Sequence, residues 1–508
     1  MYLTQGLQRA LQRYPDKVAL HHLAEGRERH WSFAEYADQV GRRAAALQAR
    51  GIAPGDRVAL LAPNDDALII LLMACWWLGA VACPMNTRWS VPELDYALQD
   101  CGARLLVADA QLSAQSQALA ARLPTTGTGQ IAAEAARLAP LEDTRTGGDA
   151  LAVILYTGGT TGRSKGVMLS HANLWSASMT RGAELNNAPD SVSLLVAPLF
   201  HVAGLGRLVG QSIVGGTCVT LPQFRADVVL AAIERHGISD IIVVPTMLQA
   251  LMDHPDFDAR RLQSLNRIAF GAAPMPPDLL DRALEAWPQA EFFQAYGLTE
   301  TAGAVCINLP HNHRPEARAC GLLRSVGRAG LGAEIRVVDE SGRELPRDQV
   351  GEIVVRGPMV SSGYWKLPDT TAQAFRDGWF HTGDGGRMDA QGYLFIADRL
   401  KDMIITGGEN VYSAEVEAAL RSHGAVADAA VIGVPDARWG ESVHAVVVLR
   451  AAADVDSASV GDELRAWCRQ QLAGYKCPRS LSFVDALPLS AAGKVLKTAL
   501  RASHRPAA

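Results

Sequence analysis

Tyr156-Thr157-Gly158-Gly159-Thr160-Thr161-Gly162-Arg163-Ser164-Lys165-Gly166-Val167 has the composition of a phosphate cradle. Gly158, Gly159 and Gly162 let the backbone turn its N–H groups inward, the threonines add hydroxyls, and Lys165 adds a point charge. The preceding Leu151-Ala152-Val153-Ile154-Leu155 reads as a buried strand feeding a turn. The stretch is not a Walker A loop, which needs glycine, then lysine, then Ser or Thr; here Ser164 precedes Lys165 and Gly166 follows it. In isolation it would also suit a glycine-rich surface loop, so the rest of the chain has to decide.

With 508 residues the chain is too long for one core and predicts about two to four domains. Its 48% hydrophobic and 20% charged residues are those of an ordinary globular protein. A net charge of −5 without a basic tract argues against nucleic acid or anionic lipid as a partner. The eight cysteines, Cys75, Cys83, Cys101, Cys218, Cys306, Cys320, Cys468 and Cys477, include no Cys-x-x-Cys pair. They predict neither a zinc site nor a disulfide framework, and read as small buried hydrophobes in a reducing compartment. Residues 1–16 lack the basic segment and apolar run of a signal peptide, so a cytoplasmic location is expected. The uncharged run 67–83 falls slightly short of the ~20 residues of a spanning helix. Asn64 and Asp65 mark a helix start and Gly79 a stop, which predicts a buried helix followed by a core strand at Val81-Ala82-Cys83-Pro84.

From Val18 onward short apolar runs alternate with helical stretches. Strands are predicted at 57–61, 81–83, 104–107, 192–196, 217–221, 240–244 and 267–270, and helices over 33–50, 65–78, 91–99 and 228–236. This is the rhythm of an α/β domain with covered sheets. Residues 110–148 read as less constrained helix and loop. Short strands near 336–339, 352–355 and 393–396 predict a small β subdomain. Beyond Asp402, helices over 413–421 and 462–472 with strands at 429–433 and 443–449 predict a separate α+β lid. The expected fold class is therefore α/β: a large N-terminal domain of α/β subdomains with a small β subdomain, and a mobile C-terminal α+β lid.

Seven motifs stand in one order: YTGGTTGRSKGV at 156–167, PLFHVAGL at 198–205, FGAAP at 270–274, YGLTET at 296–301, TGD at 382–384, DRLKDMIITGGEN at 398–410 and LPLSAAGK at 487–494. In this the chain resembles the acyl-adenylate-forming, AMP-binding superfamily of acyl-CoA and aryl-CoA ligases, adenylation domains and firefly-type luciferases, over roughly residues 10–502. The resemblance implies an AMP-binding domain over 1–400 and a lid over 401–508 with its hinge at Lys401. It implies an acid–thiol ligase that uses ATP, Mg²⁺ and CoA. A carboxylate attacks the α-phosphorus of ATP, giving acyl-AMP and pyrophosphate, and the thiol of CoA then displaces AMP. Both steps move negative charge, which fixed donors and cations would stabilise.

By the same resemblance Thr157, Gly158, Gly159, Thr160, Thr161, Gly162 and Lys165 would hold the β and γ phosphates. Two departures fall here: Gly159 stands where many relatives have Ser, and Ser164 where many have Pro. Tyr296 and Gly297 would meet the adenine, Thr299 the α-phosphate, and Glu300 with Thr161 the Mg²⁺. Gly271, Ala272, Ala273 and Pro274 are small enough for the purine edge to approach the backbone, and Asp384 and Arg399 would hold the ribose. Lys494 would contact the carboxylate and α-phosphate during adenylation only. Rotation about Lys401 would then bring Gly407 and Gly408 to line the pantetheine channel. His201 would line the acyl pocket and position the carboxylate, with Val202, Gly204, Met247, Ala302 and Gly303 as further lining.

The helix after Pro245-Thr246 is uncharged, so the buried cation a dicarboxylate would need is not evident in it. The Phe200-His201 motif lacks the Asp that would meet an amino acid's ammonium. The 398–417 and 473–480 segments most resemble bacterial feruloyl-CoA and long-chain fatty acyl-CoA ligases. The expected substrate is an apolar monocarboxylate, a fatty acid or a hydroxycinnamate, with CoA as the second partner. Self-association as a homodimer is left open. Two alternatives stand: an acyl-AMP ligase that loads a carrier protein, and a non-catalytic nucleotide-binding scaffold.

Overall fold

The computed structural model describes residues 1–24, 27–157, 164–271, 275–314, 317, 320–406, 409–436, 438–450, 457–490 and 494–504. The chain is mixed α/β, with a large N-terminal and a smaller C-terminal domain. Two compact units are formed, one of Met1–Ile335 with Val355–Phe380, the other of Arg336–Val354 with His381–Ala508. The expected division before Lys401 falls inside the second unit.

The first unit is built on two sheets. In the smaller, the strands Thr125–Gly127, Leu105–Ala108, Arg57–Leu61, Val81–Pro84 and Leu151–Thr157 lie side by side and parallel. Lys165–Ser170 closes the edge antiparallel. The larger sheet has nine strands, of which Glu291–Leu298, Arg267–Gly271, Asp240–Val243, Val192–Leu195, Thr217–Thr220 and Val18–Ala24 form its parallel centre. Antiparallel strands flank that centre at both edges. Parallel strands are covered on both faces, which is why Leu105–Ala108 and Val81–Pro84 are buried at every position and read as unbroken apolar runs.

The apolar run ambiguous in sequence is a helix, Asp66–Leu78, buried from Leu68 to Leu78. Asp65 Oδ1 caps it by accepting from the Leu68 N–H at 2.7 Å, and Gly79 ends it in the left-handed conformation at φ 82°. The indoles of Trp76 and Trp77 donate to the carbonyls of Ala152 and Leu141 at 3.1 and 2.8 Å, tying the helix to its surroundings. Among the described residues no helix is long and apolar enough to cross a membrane.

Most predicted elements appear within a few residues of their expected ends. The main additions are the strands Thr125–Gly127 and Lys165–Ser170 and the helices His171–Glu184 and Val202–Val214. In the second unit Asp384–Met388 pairs antiparallel with Leu394–Arg399. Beyond them, Val426–Asp436 and Gly440–Leu449 form a long hairpin. The helices Ser413–Arg421 and Ser457–Gln471 share with it a core that includes Ile404, Val416, Leu420, Val431, Val443, Val447 and Leu464.

Candidate active site

Gly158, Gly159, Thr160, Thr161 and Gly162 lie outside the described residues, but the strands that they join are antiparallel, with Thr157 opposite Lys165 and Tyr156 opposite Gly166. A Walker A segment would instead pass from strand to helix. Tyr156 anchors the hairpin: its hydroxyl lies 2.6 Å from Asp100 Oδ2 and 3.1 Å from the Ala97 carbonyl, and burial pushes its pKa up.

A connection unread in sequence joins this hairpin to the expected metal ligand. Lys165 Nζ lies 5.1 Å from the centroid of the Tyr364 ring, a cation–π distance, and the Tyr364 hydroxyl donates to Glu300 Oε1 at 2.9 Å. The backbone holds all three in place. Trp365 N–H donates to the Gly166 carbonyl at 2.8 Å, Met168 N–H to Gly363 at 3.0 Å, and Ser361 N–H to Glu300 at 2.7 Å. Glu300 Oε2 takes no hydrogen bond or ion pair among the described residues, and the nearby Ser361 hydroxyl is buried without a partner. An uncompensated carboxylate oxygen beside an orphaned hydroxyl is a donor set that suits a hard dication.

The turn that presents Thr299 and Glu300 is held rigidly. Thr301 Oγ1 donates to the Gly303 carbonyl at 2.6 Å, and the Leu298 N–H donates back to it at 2.9 Å. Ala302 takes a left-handed φ of 52°. A Cβ at Gly297 would meet the Gly303 oxygen at 1.8 Å, so only glycine permits this approach. The half-buried Tyr296 stands next to it, on the strand Glu291–Leu298. Gly271 is the register partner of Ala295, and a Cβ there would come within 2.8 Å of the Ala295 carbonyl. Ala272, Ala273 and Pro274 lie outside the described residues.

His201 is the N-cap of the helix Val202–Val214, its Nδ1 accepting from the Ala203 N–H at 3.3 Å. In the neutral ring this bond leaves the proton on Nε2. The loop before it is pinned by Asn64, which donates to the carbonyls of Leu195 and Ala197 at 3.2 and 2.8 Å and accepts from the Leu199 N–H at 2.9 Å. Val202 Cγ2 lies 4.0 Å from a Cβ built at Gly303, and a Cβ built at Gly206 would sit 3.8 Å from the Ala302 carbonyl. The structure thus brings Val202, Ala302 and Gly303 together. Gly204 faces elsewhere, its Cβ position 2.3 Å from the Pro198 oxygen. Met247 is half-buried against the core of the larger sheet.

Charge is less distant than the sequence indicated. Arg181, in the last turn of His171–Glu184, donates from Nη2 to the Gly206 carbonyl at 2.6 Å, and its Nε is buried without a partner. Its Nη1 is 3.8 Å from the same Cβ position at Gly206 that faces Ala302. Burial lowers its pKa to about 10. A buried cation does therefore stand one helical turn beyond Val202, on a different helix from the one searched in sequence.

In the second unit Asp384 and Arg399 are register partners across two antiparallel strands. Asp384 is buried, its N–H donating to Thr382 Oγ1 at 3.0 Å, and Thr382 Oγ1 in turn donates to the Ile353 carbonyl at 2.7 Å. Lys401 is exposed two residues further on. Gly407 and Gly408 lie outside the described residues, between the register partners Thr406 and Glu409. Lys494 is exposed and its backbone is bonded to Ser490: the Ser490 N–H donates to the Lys494 carbonyl at 2.7 Å, and the Lys494 N–H to Ser490 Oγ at 3.1 Å.

Tyr364 thus links the strand that follows the glycine-rich motif to the turn that carries Glu300. In comparison with known proteins, the model of the AMP-binding enzyme family matches residues 7–365, and that of its C-terminal domain residues 415–494. Feruloyl-CoA synthase of an Amycolatopsis species is 43% identical over 472 residues, 92% of this chain and 93% of that protein. A long-chain-fatty-acid–CoA ligase of Mycobacterium tuberculosis is 36% identical over 481 residues, 93% of each. The structure of O-succinylbenzoate coenzyme A synthetase from Bacillus subtilis in complex with ATP and magnesium ion superposes with a TM-score of 0.85 at 31% identity, covering 98% of both chains. The chain belongs to the AMP-binding enzyme family, as an ATP-dependent, AMP-forming acid–CoA ligase.

Proposed function

We propose that the acid this ligase activates is an apolar monocarboxylate, with a hydroxycinnamate favoured over a fatty acid. The observation that carries the preference is Arg181, whose guanidinium bonds the carbonyl of Gly206, the residue that also approaches Ala302, and whose Nε donor is unused. A phenolic oxygen at the far end of an aromatic acid would accept from this donor; an alkyl chain would leave the Nε donor unsatisfied in the interior, which is unfavourable. The 43% identical relative, named for feruloyl-CoA, supports the same reading, and the relative named for long-chain fatty acids supports the second.

In this reading residues 1–400 form the adenylation domain and 401–508 the mobile lid. Thr157, Lys165 and the glycines and threonines between them hold the β and γ phosphates while pyrophosphate leaves. Glu300, with Thr161, would hold Mg²⁺, which supplies positive charge shared with the phosphate oxygens. Tyr364 orients the Glu300 carboxylate toward that ion. Thr299 donates to the α-phosphate, Tyr296 and Gly297 meet the adenine alongside 271–274, and Asp384 and Arg399 bind the ribose. His201, its proton on Nε2, donates to the incoming carboxylate and so positions it. Lys494 adds a cation where charge develops in the first step alone. The chain then turns at Lys401, and Gly407 and Gly408 admit pantetheine.

The test is thioester formation with ferulate, cinnamate and dodecanoate, alongside ATP–pyrophosphate exchange. Ferulate should be preferred, and Arg181→Met should lower the ferulate-to-cinnamate ratio of kcat/KM about tenfold or more, since a site built to bond a hydroxyl rejects the analogue without it. A preference for dodecanoate that survives Arg181→Met would select the fatty-acid reading. Exchange without thioester on adding CoA would identify a carrier-loading enzyme.

A further inference from the structure

Far from the nucleotide motifs, the edge of the larger sheet gathers imidazoles. The strands Val18–Ala24 and Arg27–Ser32 pair with His21 opposite His30 and Leu23 opposite Glu28. Side chains alternate along a strand, so these four share one face. His22 points the other way, to Thr220 Oγ1 at 2.9 Å. The helix Ala226–His236 contributes its last residue to the same place. The His21 and His236 rings meet edge to face with centroids 4.5 Å apart, and each Nε2 lies 3.9 Å from one oxygen of the Glu28 carboxylate.

We propose that His21, Glu28 and His236 bind a divalent transition-metal ion of the zinc class. Their donor atoms all lie within 4.8 Å of one another. Tetrahedral zinc, with bonds of about 2.0–2.2 Å, holds its donors roughly 3.3–3.5 Å apart, so small side-chain rotations close the set. Two imidazoles and one carboxylate select zinc, cobalt or nickel over magnesium, which demands oxygen. The site therefore would not compete for the ion that ATP brings. His30, with its ring 6.2 Å from that of His21, is the nearest fourth donor, and water is the alternative.

The surrounding charges fit a neutral-imidazole site. Burial foremost lowers the pKa of both His21 and His236, His21 also feeling His236 and His30, while Glu28 opposes the shift in each. Arg235 is the competitor: its Nη1 lies 3.1 Å from Glu28 Oε1 on an exposed side chain that can swing clear. A bound ion would pin the edge ribbon to the helix.

Metal-stripped, full-length protein titrated with Zn²⁺ should take up one tight equivalent and melt at a higher temperature, and Co²⁺ should give the visible bands of tetrahedral coordination. His21→Ala and His236→Ala should each weaken binding at least about tenfold, the scale on which metal-site substitutions act, with ATP–pyrophosphate exchange unchanged. Arg235→Ala should bind more tightly. No uptake by the wild type, or an unaltered affinity and Co²⁺ spectrum in His236→Ala, would overturn the site.

Discussion

Tyr364 touches Lys165 with its ring and Glu300 with its hydroxyl, and so couples a candidate phosphate ligand to a candidate metal ligand. Tyr364→Phe keeps the ring and removes only the hydroxyl. The expected result is an unchanged melting temperature and about a tenfold rise in the Mg²⁺ needed for half-maximal ATP–pyrophosphate exchange, as for other partners that orient metal ligands. An unchanged Mg²⁺ dependence would deny Tyr364 that role. Nothing local marks this tyrosine, since the motifs at 156–167 and 296–301 are each complete without it. The one available signal was the aromatic pair Tyr364-Trp365 after Gly363.

Within the C-terminal elements, the helix Lys497–Ser503 is tied down by a buried ion pair. Lys497 Nζ lies 2.6 Å from Glu417 Oε1 and also bonds Ser413 Oγ, while Glu417 accepts from the Val431 N–H at 2.9 Å and Asp398 from the Ser413 N–H at 2.5 Å. Lys497→Met would leave the buried Glu417 carboxylate with only the longer pair to Arg421, 3.7 Å away, at a loss of about 1–3 kcal/mol in denaturant titrations. Adding Glu417→Gln should restore much of it; a lone Lys497→Met as stable as the wild type would refute the pairing. The adjacent strand pair carries a pH dependence. His444 bonds Ser480 and Ser482 at 2.7 and 3.0 Å, and burial lowers its pKa to about 4 from 6.5. The folded state then binds fewer protons than the unfolded state between these values. Its stability contribution is complete above 6.5 and is lost as pH falls toward 4. His444→Gln should flatten the fall in melting temperature over that range.

For the molecule as a whole, the proposed two-step mechanism requires a group that serves adenylation and not thioester formation. Lys494 is exposed, and its N–H is held by Ser490. Lys494→Ala is expected to abolish acyl-AMP formation, a loss of at least about a hundredfold on the scale of removing a single transition-state donor, while sparing thioester formation from supplied acyl-AMP. Equal loss in both half-reactions would show that it is not step-specific.

The sequence by itself determined the α/β class, the reading of 66–78 as a core helix, and the ordered motifs that mark the family. Each of these is written in local periodicity, capping residues such as Asp65 and Gly79, or short contiguous strings. Only the tertiary structure decided that the phosphate motif joins an antiparallel hairpin, since Lys165–Ser170 is too short for its period to declare a strand. It alone brought Arg181 and Ala302 to the same residue, Gly206, set Asp384 opposite Arg399, and brought His236 to His21. The reason is physical: these contacts join residues far apart in the chain, and they follow from sheet register and helix packing, which no window of sequence contains.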